Sequence, residues 1–303
     1  MSQSRRTPRT VLVTGASAGL GRAVSDELAR QGHRLALVAR REDRLESQAR
    51  AYRDQGVEAL VLPFDLAGPQ APEAIVEAVL SRFGRLDVLI NNAGMGLPRF
   101  FGQSDPDALR TQLAVNLEAP ILLTRHALPW LEETRGMVIN VGSAVSVLAS
   151  PVFGVYGTTK AGLAYFTDAL RREVASRGIR VCLVEPGPVS TEFFEAVESR
   201  GDERPCLGTR PTWDGLYNPI RDRPPRIFEA HIDDAARRIV RLLDHPRRRL
   251  SFPRRFVWPW RVFGGLLRMV PGLTDLSMVE MVRRIEREES RATQTDPERS
   301  VPA

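Results

Sequence analysis

Lysine is almost missing from this chain. Of 303 residues one is lysine, Lys160, and the other 42 basic side chains are arginine. A codon bias toward arginine accounts for the 42. It does not account for where the survivor sits, four residues after Tyr156 in YGTTK. Cysteine is nearly absent too: Cys182 and Cys206 are the only two, too few for a disulfide framework. Cys182 lies in the apolar run IRVCLVEP and reads as a buried thiol. The 4 histidines share no metal-ligand spacing with these cysteines. No stretch approaches the roughly 18 consecutive apolar residues of a membrane-spanning helix. The basic opening MSQSRRTPRT runs into only VLV before a glycine loop, so it lacks the apolar core of an export signal. The expectation is a soluble protein of the cytoplasm. Repeats are also lacking. The formal charge of +6 comes from arginines interleaved with Asp and Glu. That pattern gives no clustered basic face, so nucleic acid is not an expected partner.

What is present is alternation. Short apolar runs, TVLVTG, RLALVAR, EALVLPFD, RLDVLINNAG, GMVINVGS and IRVCLVEPG, are separated by amphipathic stretches of helical length. Apolar strands spaced by helices imply parallel strands buried on both faces. Gly32, Gly56, Gly84 and Gly178 follow helix-like stretches, where a left-handed terminal residue is favoured. The expected fold is therefore an α/β doubly wound parallel sheet of Rossmann type, one domain over 9–252, with a helical C-terminal extension at 253–290. Residues 1–8 and 291–303 read as disordered ends. Residues 195–227, rich in Pro and Gly and without periodicity, read as a substrate loop or lid.

Three places carry chemistry. TGASAGLG, residues 14–21, joins the first strand to the first helix. A glycine turn opening a helix aims backbone N–H groups at an anion, although the spacing departs from G-x-G-x-x-G and such a turn can be plain geometry. The end of the second strand reads LVARRED. Where an acid would grip a free ribose 2′-OH, this chain has Arg40 and Arg41, which favour a 2′-phosphate or simply begin a solvated helix. The third is the pair Tyr156 and Lys160, i and i+4 on one helical face. A cation beside a phenol lowers its pKa of about 10 toward the range useful for acid–base work. A compact ammonium serves there where a planar guanidinium would not.

Together these residues resemble the short-chain dehydrogenases/reductases of the TGxxxGxG and YxxxK type. The matches are TGASAGLG, Asp65 in FDLAG, NNAG at 91–94, Asn116 in AVNLEAP, Ser143 in INVGSAVS, Tyr156 and Lys160 in YGTTK, and PGPVST at 186–191. They cover roughly residues 9–195. The resemblance implies an oxidoreductase moving hydride between a nicotinamide and a carbonyl or secondary alcohol. It makes Tyr156 the acid/base and gives Lys160 the tasks of tuning Tyr156 and binding ribose. Ser143 would hold the substrate oxygen beside Tyr156, and Asn116 would hold a relay water. Cofactor contacts would come from Gly15, Ser17, Ala18, Gly19, Leu20, Gly21, Arg40, Arg41, Asp65, Leu66, Asn92, Ala93, Gly94, Tyr156, Lys160, Pro186, Gly187, Val189 and Thr191. The arginines favour NADP(H) over NAD(H), and no metal is implied. Asn91 reads as a sheet stabiliser. Asp65 is alternatively a helix N-cap, and Asn116 a helix cap or bend. The same fold could also serve as a catalytically idle NADP-binding scaffold, but such a protein has no need of all four catalytic residues.

The segment PRRFVWPWRVFGGLLRMVPGL, 253–273, is the least family-like part. It reads as folding over the cleft or a subunit neighbour, as lying in a membrane interface, or as a loose tail. Steroid- and lipid-acting members often carry such extensions, so a bulky apolar substrate is the expectation, with a homo-oligomeric assembly.

Overall fold

A computed structural model describes residues 7–97, 100–147, 149, 151–189 and 230–255, with isolated positions 257, 258, 262, 279, 280, 283 and 287. Thr191, the 195–227 loop, most of the 253–290 extension and the 291–303 end lie outside the described residues, as do residues 1–6 of the N-terminal segment.

The described elements alternate as the apolar runs require. They are β1 (Thr10–Thr14), α1 (Gly19–Arg30), β2 (Arg34–Val38), α2 (Glu42–Arg53), β3 (Ala59–Leu62), α3 (Ala71–Phe83), β4 (Val88–Asn91) and α4 (Pro106–Leu113). These are followed by α5 (Ala119–Glu133), β5 (Met137–Val141), α6 (Gly154–Glu173), β6 (Arg180–Pro186), α7 (Ile232–Val240) and β7 (Arg249–Phe252). The strands form one sheet in the order β3-β2-β1-β4-β5-β6-β7, every pairing parallel. Strands β1, β4 and β5 are buried at every position, which is why their sequences are mostly Val, Leu and Ile. Alternate residues feed two cores. Val11, Val13 and Ile90 meet α1 and α7 on one face, while Leu12, Leu89 and Val138 meet α3 and α5 on the other. Each fully buried Leu or Ile contributes about 1.5–3 kcal/mol relative to exposure.

Gly32, Gly56, Gly84 and Gly178 close their helices with φ between 67 and 79°, as their placement predicts. The stretch 106–134 predicts one long helix. It is instead α4 and α5 joined by a π-helical turn, Ala114–Glu118. The run RRRLSF supplies the seventh strand. A single parallel bridge joins Val189 to Ala230, with the Ala230 amide donating to the Pro188 carbonyl at 3.0 Å. The strand order reverses between β1 and β4, so a crevice opens beyond their carboxyl ends, where ligands of this fold class bind.

Candidate active site

The expected site residues within the described residues follow the carboxyl ends of β1 to β6 or, for Asn116, Tyr156 and Lys160, lie on the π turn and on α6. The loop after β1 turns on Gly15 (φ 67°) and Gly19 (φ 51°), both in the left-handed region. A Cβ on Gly15 would come within 2.9 Å of the Ala93 Cα. One on Gly21 would collide with the Gly15 carbonyl oxygen and the Asn92 side-chain nitrogen. Helix α1 therefore starts hard against the β4 loop. Ala18 caps it without a side-chain hydrogen bond, and its first turn holds no acid, so the free N–H groups of that turn face the crevice loop as an anion cradle. Thr14 ties the two loops together. Its hydroxyl accepts from the Asn92 and Ala93 amides at 2.9 and 3.0 Å, and Asn92 Nδ2 donates to the Thr14 carbonyl at 2.9 Å. Leu20 packs on the core, and Leu66 is buried in the α3-side core, so neither side chain is a polar contact.

At the end of β2 the two arginines part company. The Arg41 guanidinium donates to Ser17 Oγ at 3.3 and 3.1 Å and so lies over the glycine loop. Arg40 approaches Asp65 at 3.9 Å, both side chains half exposed. Asp65 is not the cap of α3, which begins at Ala71 after Gln70. Its carboxylate accepts from the Ala67 amide at 3.0 Å and closes a local turn beside Arg40.

Tyr156 and Lys160 lie on the first turns of α6 and do share a face, with Nζ 5.9 Å from the phenol ring centroid. Lys160 is 3% exposed. Its ammonium donates to the Val141 carbonyl at 2.9 Å and sits beside Gly94. The expected acidification of Tyr156 by Lys160 is not found. Burial pushes the Tyr156 phenol up to about 12, and a hydrogen bond from Ser143, not the ammonium, offsets part of that rise. Burial pushes Lys160 down to about 8. The physical reason is that both groups are desolvated together, so each is driven toward its neutral form. Ser143 lies two residues past the end of β5, its Oγ accepting from the Val145 amide at 3.3 Å, which leaves its O–H to donate to the phenol oxygen. Phe153 backs the Tyr156 ring edge-on at 6.1 Å.

Asn116 is fully buried in the π turn. Its Oδ1 accepts from the Met95 amide at 2.8 Å, and its Nδ2 donates to the Met95 carbonyl at 2.8 Å and to Thr159 Oγ1 at 3.2 Å. The side chain is thus a clamp between the β4 loop and α6, set by a π turn of the kind that recurs at functional sites. Asn91 points away from the crevice, donating to Asn140 Oδ1 at 2.8 Å and Thr124 Oγ1 at 3.2 Å. It is the sheet stabiliser its position suggests. Pro186 ends β6, the Gly187 amide donates to the Phe252 carbonyl at 2.7 Å, and Val189 is 8% exposed. Sequence reasoning missed Met95, Thr159 and the Val141 carbonyl. Two of these act through backbone atoms, which leave no residue-type signal.

A glycine cradle, an uncapped helix start, guanidinium groups at the end of β2 and a buried ammonium on the catalytic helix fit a nicotinamide dinucleotide. They define a protein of the nicotinamide-dinucleotide-binding class. The short chain dehydrogenase family profile matches residues 9–201, and the chain belongs to that family. It is 34% identical over 189 residues to 11-beta-hydroxysteroid dehydrogenase-like 2 of Arabidopsis thaliana, covering 62% of this chain and 61% of that one. It is 30% identical to 11-beta-hydroxysteroid dehydrogenase A of Sesamum indicum, covering 84% of this chain and 72% of that protein. The chain spans about three fifths of the length of the first curated relatives it matches. A short-chain dehydrogenase from Sphingobium yanoikuyae in complex with NADPH superposes with a TM-score of 0.69 at 27% identity, covering 87% of this chain and 95% of that one.

Proposed function

We propose that the protein is an NADP(H)-dependent oxidoreductase that interconverts a bulky apolar ketone or aldehyde and its alcohol. The observation that carries the reading is the convergence of Ser143, Tyr156, Lys160 and Asn116 at one end of the sheet beside the glycine cradle. When bound, the nicotinamide supplies or accepts the hydride. The loop 14–21 and the start of α1 would hold its pyrophosphate, Arg41 an adenosine 2′-phosphate, Lys160 a ribose hydroxyl, and Pro186 and Gly187 the nicotinamide side.

The residues of the chain do the rest. Tyr156, with a pKa near 12, stays protonated at neutral pH and is poised to donate. In the reductive direction its proton passes to the substrate oxygen as the carbonyl carbon is reduced. Ser143, held by the Val145 amide, donates to the phenol oxygen and stabilises the phenolate left behind. Lys160, near 8, gives up a proton readily and can return one toward Tyr156. Asn116 keeps Met95 and α6 at fixed separation, which holds Lys160 beside the β4 loop.

Arg41 over Ser17 supports NADP(H), because the carboxylate that would reject a 2′-phosphate is not at that position. The steroid dehydrogenase names of the relatives support an apolar substrate. Oxidation of NADPH and NADH at 340 nm against aliphatic, aromatic and steroidal carbonyls tests the reading. Turnover with NADPH that falls by about 10²- to 10⁴-fold in Tyr156→Phe is expected for loss of a general acid. Equal rates for the two proteins would remove Tyr156 from the chemistry.

A further inference from the structure

Glu185 is a charged side chain for which the catalytic scheme has no use, yet it is 1% exposed and lies one residue before Pro186. Two residues of the edge strand satisfy it. Arg249 Nη1 donates to Glu185 Oε1 at 2.9 Å, and Ser251 Oγ donates to Glu185 Oε2 at 2.9 Å. The other arm of the same guanidinium donates to Asp168 Oδ2 on α6 at 3.1 Å. Asp168 also accepts from Arg171 at 2.7 Å and lies 3.8 Å from Arg248. Although partial burial opposes it, the Arg171 hydrogen bond and the charges of Arg249, Arg171 and Arg248 hold the Asp168 carboxyl below its ordinary range. A planar two-armed donor thus joins a carboxylate at the end of β6 to a carboxylate on α6, a geometry that a single ammonium cannot reproduce. One end of this chain of charges abuts Pro186 and Gly187. The other is on the helix that carries Tyr156 and Lys160. Glu185 also packs behind Gly142, the residue before Ser143.

We propose that Arg249 is a positioning residue for the reaction: by bridging Glu185 and Asp168 it fixes the nicotinamide-side loop relative to the helix that carries the proton donor. The proposal rests on the crevice being the family's cofactor site, but not on which carbonyl is reduced. Removing the bridge takes the cation away from a buried carboxylate and loosens the tie between the strand end and α6. The adenosine half of the site, built on β1, β2 and α1, does not touch it.

The test uses the full chain and compares binding of NADPH with binding of 2′-phospho-ADP-ribose, which lacks only the nicotinamide ring, by titration calorimetry. In Arg249→Met the NADPH dissociation constant should rise about tenfold, the loss of one or two charged hydrogen bonds, while that for 2′-phospho-ADP-ribose stays within about twofold. Arg249→Lys should recover only part of the loss. Where a substrate is in hand, kcat should fall with the NADPH affinity. Should Arg249→Met not fold, Ser251→Ala and Glu185→Gln retain the packing, and each should raise the NADPH constant and spare 2′-phospho-ADP-ribose. An equal loss for both ligands would make Arg249 a general stabiliser and overturn the proposal, as would unchanged NADPH binding. Because neither titration contains a carbonyl, a failure of the substrate assignment leaves this result readable.

Discussion

Replacing Lys160 with methionine should make the protein more stable at neutral pH while abolishing its chemistry. Lys160 is 3% exposed, and burial lowers its pKa from 10.5 to about 8. The unfolded chain therefore binds the extra proton between pH 8 and 10.5, and stability rises with pH across that window. Below pH 8 the folded state carries the full penalty, about 3 kcal/mol at 1.36 kcal/mol per unit. Methionine removes the charge but leaves the Val141 carbonyl without its donor, which costs about 1 kcal/mol. The net gain at pH 7 is about 2 kcal/mol, roughly 4 °C in Tm for a chain of this size. By about pH 9.5 the wild-type penalty has fallen enough that the gain is gone. Urea unfolding of both proteins at pH 7 and 9.5 measures the difference. A variant that is destabilised at pH 7, or a difference independent of pH, would refute the reasoning that this ammonium is retained against its own desolvation cost. Turnover in the same variant should be lost, since methionine neither relays a proton nor binds a ribose.

Other outcomes follow from the same geometry. Gly21→Ala should destabilise the fold by about 1–3 kcal/mol and weaken dinucleotide binding, because the added carbon meets the Gly15 carbonyl and Asn92 in a packed loop; thermal melts and cofactor titration read both effects. Arg41→Ala should raise the KM for NADPH by about tenfold or more with little change for NADH, the signature of a lost charge-assisted phosphate contact. Deleting residues 255–303 should lower recovery of the protein on anionic vesicles if the basic, Trp-bearing segment at 253–273 lies on a membrane; unchanged sedimentation would reject that role.

The sheet was legible from the chain because its central strands are buried on both faces and are therefore mostly Val, Leu and Ile. The helix ends were legible because left-handed closure demands glycine. The candidate site was legible by residue type: a lone lysine in an arginine-rich chain marks a position that stands out, and the structure places it buried beside Tyr156. What escaped depends on distance. Spacing places a phenol and an ammonium on one face, but says nothing of burial, and burial reverses the expected direction of the Tyr156 pKa. The π turn at Asn116 escaped because its composition is helical; the extra residue per turn is fixed by the clamp on Met95. Arg249 escaped because one arginine among 42 carries no signal until its two carboxylate partners are seen at opposite ends of its guanidinium.

The bridge between Val189 and Ala230 has a consequence for how such a protein can change. The sheet holds Val189 and Ala230 as paired anchors. The register of β6 with β7 and the packing of α7 are set by residues outside these two points. An engineer who exchanges the sequence between the anchors should therefore find that register and that helix seat inherited intact.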